Sequence, residues 1–203
     1  MSKPKNITAL ILAYITVGYN ILEGLVSVFF GYSGGSLALA GFGLDSFIES
    51  MSGGIMIWRF KERKGLTHEE EERIESRAIK MVAMAFYALG IYVLINSSLN
   101  LYRHSAPEQS LAGIIIAIVS LITMPILFIL KHRTGKSIGS KSLLADSRQT
   151  LACMLLSAVL LIGTGLNYIW QIWWSDSAAS IVIAILLIRE GYKTYREGKL
   201  CEC

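Results

Sequence analysis

The sequence predicts an all-α integral membrane protein of six transmembrane helices, with both termini in the cytoplasm. Three observations carry that prediction. The 203-residue chain is 53% hydrophobic and only 17% charged, against about 25% charged residues in soluble domains. Its apolar residues fall into six runs, each near the ~20 residues that a bilayer core requires. Its Lys and Arg gather on alternate connections, which sets orientation through the positive-inside rule.

The runs cover residues 7–30, 36–58, 78–101, 110–130, 142–166 and 174–192. The first is too long for a signal-peptide core and lacks a small-residue cleavage site, so it reads as a retained span. Its polar residues Asn20 and Glu23 either line a vestibule or knit helices together. The segment Gly31-Tyr-Ser-Gly-Gly35 then turns the chain without charge. The second run carries Asp45 and Glu49 near its middle. Four residues apart on a helix, they share one face, a turn apart. One acidic side chain at that depth costs at least ~2.5 kcal/mol, and a second beside it costs more. A bound cation offsets that cost; an ion pair or shared hydrogen bond with a neighbouring helix is the structural alternative.

The second connection, residues 61–77, is highly charged and includes Glu69 to Glu72; it reads as a solvated helical extension or loop. The third and sixth runs look more uniformly apolar and are expected to form the subunit contact or the scaffold. The third connection carries only Arg103, whereas the fourth, residues 131–141, is strongly basic with Lys131, Arg133, Lys136 and Lys141. In the fifth run, Asp146, Gln149, Thr150 and Cys153 fall at i, i+3, i+4 and i+7, one helical stripe. Asp146 is expected to face the cytoplasmic entry of the pathway, and it and Thr150 are candidates to line that pathway or to support the site from behind. Arg148 either reaches toward the carboxylates as a counter-ion or stretches to the interface; lying about 100° round the helix from Gln149, it is expected at the interface. The fifth connection is aromatic, with Tyr168, Trp170, Trp173 and Trp174 before Asp176, and suits the water–lipid boundary.

Lys3, Lys5, the second and fourth connections, and the tail residues Lys193, Arg196 and Lys199 share one side, which assigns both termini to the cytoplasm. These short basic segments account for the net charge of +4, so no nucleic-acid partner is needed. Three cysteines do not make a disulfide framework. Cys201 and Cys203 either capture soft cations or belong to a reduced tail, and only about ten residues follow the sixth run, too few for a soluble domain. His68, His104 and His132 are scattered on connections and form no site.

Gln149 and Cys153 repeat the four-residue spacing of Asp45 and Glu49. Two such helices place four donor groups around a point, the arithmetic of tetrahedral coordination. The bland alternative makes Cys153 a small buried hydrophobe and Gln149 an interhelical hydrogen bonder.

Asn20-x-x-Glu23, Gly34-Gly-Ser-Leu-Ala-Leu39 and Asp45-x-x-x-Glu49 resemble the first two helices of cation diffusion facilitators. Ala145-Asp146 with Gln149 and Cys153 looks like their fifth helix, and Asp176-Ser-Ala-Ala-Ser with Glu190-Gly191 like their sixth. The resemblance implies a transporter and not an enzyme: a six-helix domain, usually a homodimer, that moves divalent metals such as zinc out of the cytoplasm in exchange for protons. It implies a plasma-membrane location and a transport site at Asp45, Glu49, Gln149 and Cys153. Gln149 and Cys153 stand where many zinc-transporting members have His and Asp. The chain is also expected to lack the family's cytoplasmic C-terminal domain and His-rich loop. A mixed oxygen and sulfur set makes zinc the leading metal, with cadmium, cobalt, iron and manganese also compatible. The paired carboxylates, titrating as one coupled unit, and a thiol that must ionise to bind supply the proton coupling. Two other readings fit the same acids: a non-transporting membrane protein with a structural or metal-sensing acidic network, and a proton-coupled organic-cation exporter.

Overall fold

Lipid offers no hydrogen-bond partner, so an apolar run must satisfy its own backbone groups, and a helix does so. The computed structural model describes residues 3–60, 68–104, 107–108 and 110–197, which fold into six helices and, among the described residues, no strand. They are α1 (Lys3–Ser33), α2 (Leu37–Phe60), α3 (His68–Tyr102), α4 (Leu111–Ile138), α5 (Lys141–Trp170) and α6 (Ser175–Glu197). Each predicted run corresponds to one helix, and the all-α class holds.

The charged second connection is partly helix, since α3 already begins at His68. The fourth connection requires a larger correction. Residues 131–138 continue α4, and only Gly139 and Ser140 join it to α5. Gly139 stops α4 in the left-handed region at φ 66°, a conformation that costs glycine little. The Ser140 hydroxyl then accepts from the Leu143 N–H at 3.3 Å to start α5. Inside α4, Pro125 removes the backbone donor that would bond four residues back.

By length and composition, α1, α3, α4 and α5 are apolar enough to cross a membrane. Two helices, α2 and α6, carry many of the buried polar groups, among them Asp45, Ser46, Glu49 and Ser50 on α2 and Asp176, Ser177 and Ser180 on α6. The expectation that the sixth run is uniformly apolar is therefore corrected. Packing explains how both helices keep such residues. Four helices, α1, α3, α5 and α6, pack against α2, while α6 lies against α2, α3 and α5. The outer helices turn large hydrophobics such as Leu22, Phe29, Ile95 and Ile122 outward. Phe42, Phe86, Met124, Leu160, Ile183 and Leu187 fill the interior. Close approach needs small residues: a Cβ on Gly163 of α5 would sit 2.3 Å from the Ala179 Cβ of α6.

The two ends of the bundle differ. At one end the Glu108 N–H donates to the Gly34 carbonyl at 2.9 Å, joining the α1–α2 turn to the α3–α4 connection. At the same end the Ser36 hydroxyl, just before α2, donates to Asp176 at the start of α6. The backbone N–H groups of Leu37 and Ala38 also donate to Asp176, so a residue of α6 caps α2. The opposite end carries the start of α1, the end of α6 and the α4–α5 junction.

Candidate functional site

Glu49 and Asp45 lie on the α2 face turned toward α5, and both are buried, at 1% and 3% exposure. From α5, the buried Cys153 and the half-buried Gln149 face back. All four line one partly open cavity of about 240 Å³, which Phe86 of α3 and Leu186 and Leu187 of α6 also line. The Cys153 thiol lies beside both carboxylates. Glu49 Oε2 and Gln149 Nε2 have no hydrogen-bond partner among the described residues. Two carboxylates, a thiol and an amide are all groups able to donate to a cation. Among the described residues, no three His, Cys, Asp or Glu side chains come close enough together to hold a metal ion by themselves.

The cavity's polar rim is formed by Arg148, Arg189, Glu190 and Lys193, toward the end of the bundle where α1 starts and α6 ends. Arg148 is exposed there and shares the cavity with Gln149. Glu190 approaches closely enough for its charge to act on Asp45. The sequence argument used it only as part of a motif.

Behind Glu49, away from the cavity, lies a relay that the sequence argument missed. Lys131 of α4 is completely buried. Its Nζ donates to Thr150 Oγ1 at 2.9 Å, and Thr150 Oγ1 donates to Glu49 Oε1 at 2.9 Å. Lys131 Nζ also lies 2.9 Å from Asp146 Oδ2. That contact is off-line for a hydrogen bond, but coulombic attraction needs only the short distance. Two expectations are corrected here. Lys131 belongs to α4 and to no connection, and Asp146 does not line an entry to the cavity: at 1% exposure it turns inward to Lys131, outside the cavity lining. The physical reason is shared, since each charge offsets the other's loss of water.

On α1, Glu23 knits helices together and does not line the cavity. Tyr19 donates to its Oε1 at 2.8 Å and Ser46 of α2 to its Oε2 at 3.0 Å. Asn20 is fully buried, with both amide atoms lacking a partner among the described residues. His104 stacks on Trp173 at 4.7 Å. Cys201 and Cys203 lie outside the described residues.

Comparison with known proteins agrees with this architecture. At 26% identity over 206 residues, the chain is similar to a cadmium, cobalt and zinc/H(+)-K(+) antiporter of Bacillus velezensis, covering 95% of this chain and 62% of the relative. It is also similar to transmembrane protein 163 of Xenopus laevis, at 20% identity over 186 residues, covering 91% of this chain and 65% of the relative. The chain thus spans less than two thirds of the length of these curated relatives. The family model of the cation efflux transmembrane domain matches residues 12–200. Six helices wrapped around buried carboxylates, matched along nearly their whole length by that model, make this chain a multi-pass membrane protein of the cation efflux family.

Proposed function

We propose that this chain exports divalent metal cations, zinc foremost, in exchange for protons. One observation carries the reading: α2 and α5 present Asp45, Glu49, Gln149 and Cys153 to a single cavity inside a cation efflux domain. Two buried carboxylates are costly at membrane depth, and a doubly charged ion compensates both at once. The donor set suits zinc, with cadmium, cobalt, iron and manganese as further substrates; cadmium and cobalt stand in the name of the Bacillus relative. A tighter approach of α2 to α5 completes the coordination, because the acid and thiol groups do not form a closed site alone.

Both termini lie in the cytoplasm in this reading, in the plasma membrane, so the cavity's polar rim faces the cytoplasm and receives the metal there. Protons bound to the carboxylates and the thiol leave as the metal enters and return after its release outside. The functional unit is a homodimer.

Uptake into proteoliposomes, measured for several divalent metals at two internal pH values, tests this reading. Wild-type protein is expected to transport zinc at a rate that rises with the imposed proton gradient, and Asp45→Asn and Cys153→Ala to bind it at least tenfold more weakly by calorimetry. Unchanged binding accompanied by lost stability would instead favour a structural acidic network. The hydrogen-bonded Glu23 and the ion-paired Asp146 give that alternative its substance. Efflux of organic cations without metal would favour an organic-cation exporter.

A further inference from the structure

Among the described residues, the buried charged side chains are five acids (Glu23, Asp45, Glu49, Asp146 and Asp176) and a single cation, Lys131. An ammonium held without water needs strong compensation, and Asp146 supplies much of it. Yet Lys131 does not spend its hydrogen bond on Asp146. It donates to Thr150, whose hydroxyl proton has two acceptors available: its own helix's Asp146 carbonyl at 3.3 Å and Glu49 Oε1 at 2.9 Å. The shorter contact points toward Glu49. Lys131 thereby acts on one oxygen of Glu49, while the other, Oε2, has no partner among the described residues. Of the two charges behind Glu49, Lys131 is the one joined to it by a chain of hydrogen bonds, while the Asp146 carboxylate meets only Lys131.

We propose that Lys131 is an internal competitor of the transported cation, a protein-borne positive charge that draws on Glu49 through Thr150 and keeps metal binding weak enough for release. The role rests on the metal-export reading and assigns that site a positioning residue outside its ligand set. A divalent ion and the ammonium share one carboxylate, so each lowers the hold of the other. A site with two carboxylates and a thiol but no such competitor would load readily and unload slowly. Lys131 moves the balance toward turnover.

The test uses the full chain in nanodiscs for binding of Zn²⁺ and Cd²⁺ by calorimetry, and in proteoliposomes for uptake. In Lys131→Met/Asp146→Asn both charges are removed together, so neither member of this pair is left as a buried charge without its partner. This variant is expected to bind Zn²⁺ at least tenfold more tightly, with a lower KM and a lower maximal rate. Asp146→Asn alone leaves Lys131 uncompensated and is expected to weaken binding and raise KM. Opposite shifts in two variants are not produced by a merely structural pair, whose loss would lower active protein in both while leaving KM in place. Binding that is unchanged or weaker in the folded double variant overturns the proposal, as does an unchanged KM in folded Asp146→Asn. Wild-type protein that binds neither metal overturns the export reading as well; wild-type binding with unmoved variants overturns only the role of Lys131.

Discussion

Thr150 shows how much a single hydroxyl can hold in a dry interior. It accepts from Lys131 and donates to Glu49, so three helices meet at one oxygen. Replacing it with Val leaves an ammonium and a carboxylate oxygen without that partner, a loss of ~1–3 kcal/mol. Thermal unfolding in detergent should show Thr150→Val melting lower than wild type, with Thr150→Ser close to it. Lys131→Met alone abandons Asp146 as an unpaired buried charge and should cost ~3–5 kcal/mol. The paired variant Lys131→Met/Asp146→Asn should recover most of that, and equal melting of the single and paired variants would refute the coupling. Residue spacing made Asp45, Glu49, Gln149 and Cys153 legible in the sequence, because one helical turn separates the members of each pair. Lys131 was obscured by its basic neighbours Arg133 and Lys136. The signal was nevertheless present: the buried stripe of α4 runs Gly113, Ala117, Ser120, Met124, Leu127, Lys131 and Gly135, and its helical period passes through the lysine. Asp146 was placed at the entry for a related reason, since its partner lies on another helix and no local pattern names it.

At the scale of helices, contacts at the ends decide more than propensity does. Capping of α2 by Ser36 and by Asp176 from α6 fixes two central helices to each other. Ser36→Ala should lower stability by ~1 kcal/mol, read as a shift in the unfolding midpoint. Gly163→Val should cost ~1–3 kcal/mol through overpacking, because the space beside Ala179 is already taken; an unchanged midpoint would show that α5 and α6 separate freely there. Apolar runs revealed all six helices, yet helix ends were less legible. The end of α4 was placed at residue 130 because charge resembles an aqueous boundary. Gly139 and Ser140, a left-handed stop followed by a cap, are the actual junction. In α6, the serines of the first turns were outweighed by the apolar stretch that follows them. Their burial depends on α2 and α5, which no window along the chain reports.

Over the whole molecule, three connections gather at one end and the α4–α5 junction at the other, as alternating basic loops require. Single cysteines introduced at His104 and Ser137 should label differently with a membrane-impermeant reagent on intact cells. The first should react from outside and the second only after permeabilisation; the reverse pattern would invert the proposed topology. The antiparallel order of helices was readable because lipid allows few alternatives. The arrangement of α2 and α6 at the centre was not, since it depends on which faces meet.

Pro125 ties these scales together. The last turns of α4 hang from a joint that lacks one strut of the backbone ladder, six residues and so ~9 Å before Lys131. A swing of ~20° at such a joint carries the ammonium through ~3 Å, the length of its own bond to Thr150. A bend at the proline would make the far arm of α4 a lever, with the lysine midway along it and the grip on Glu49 as the load.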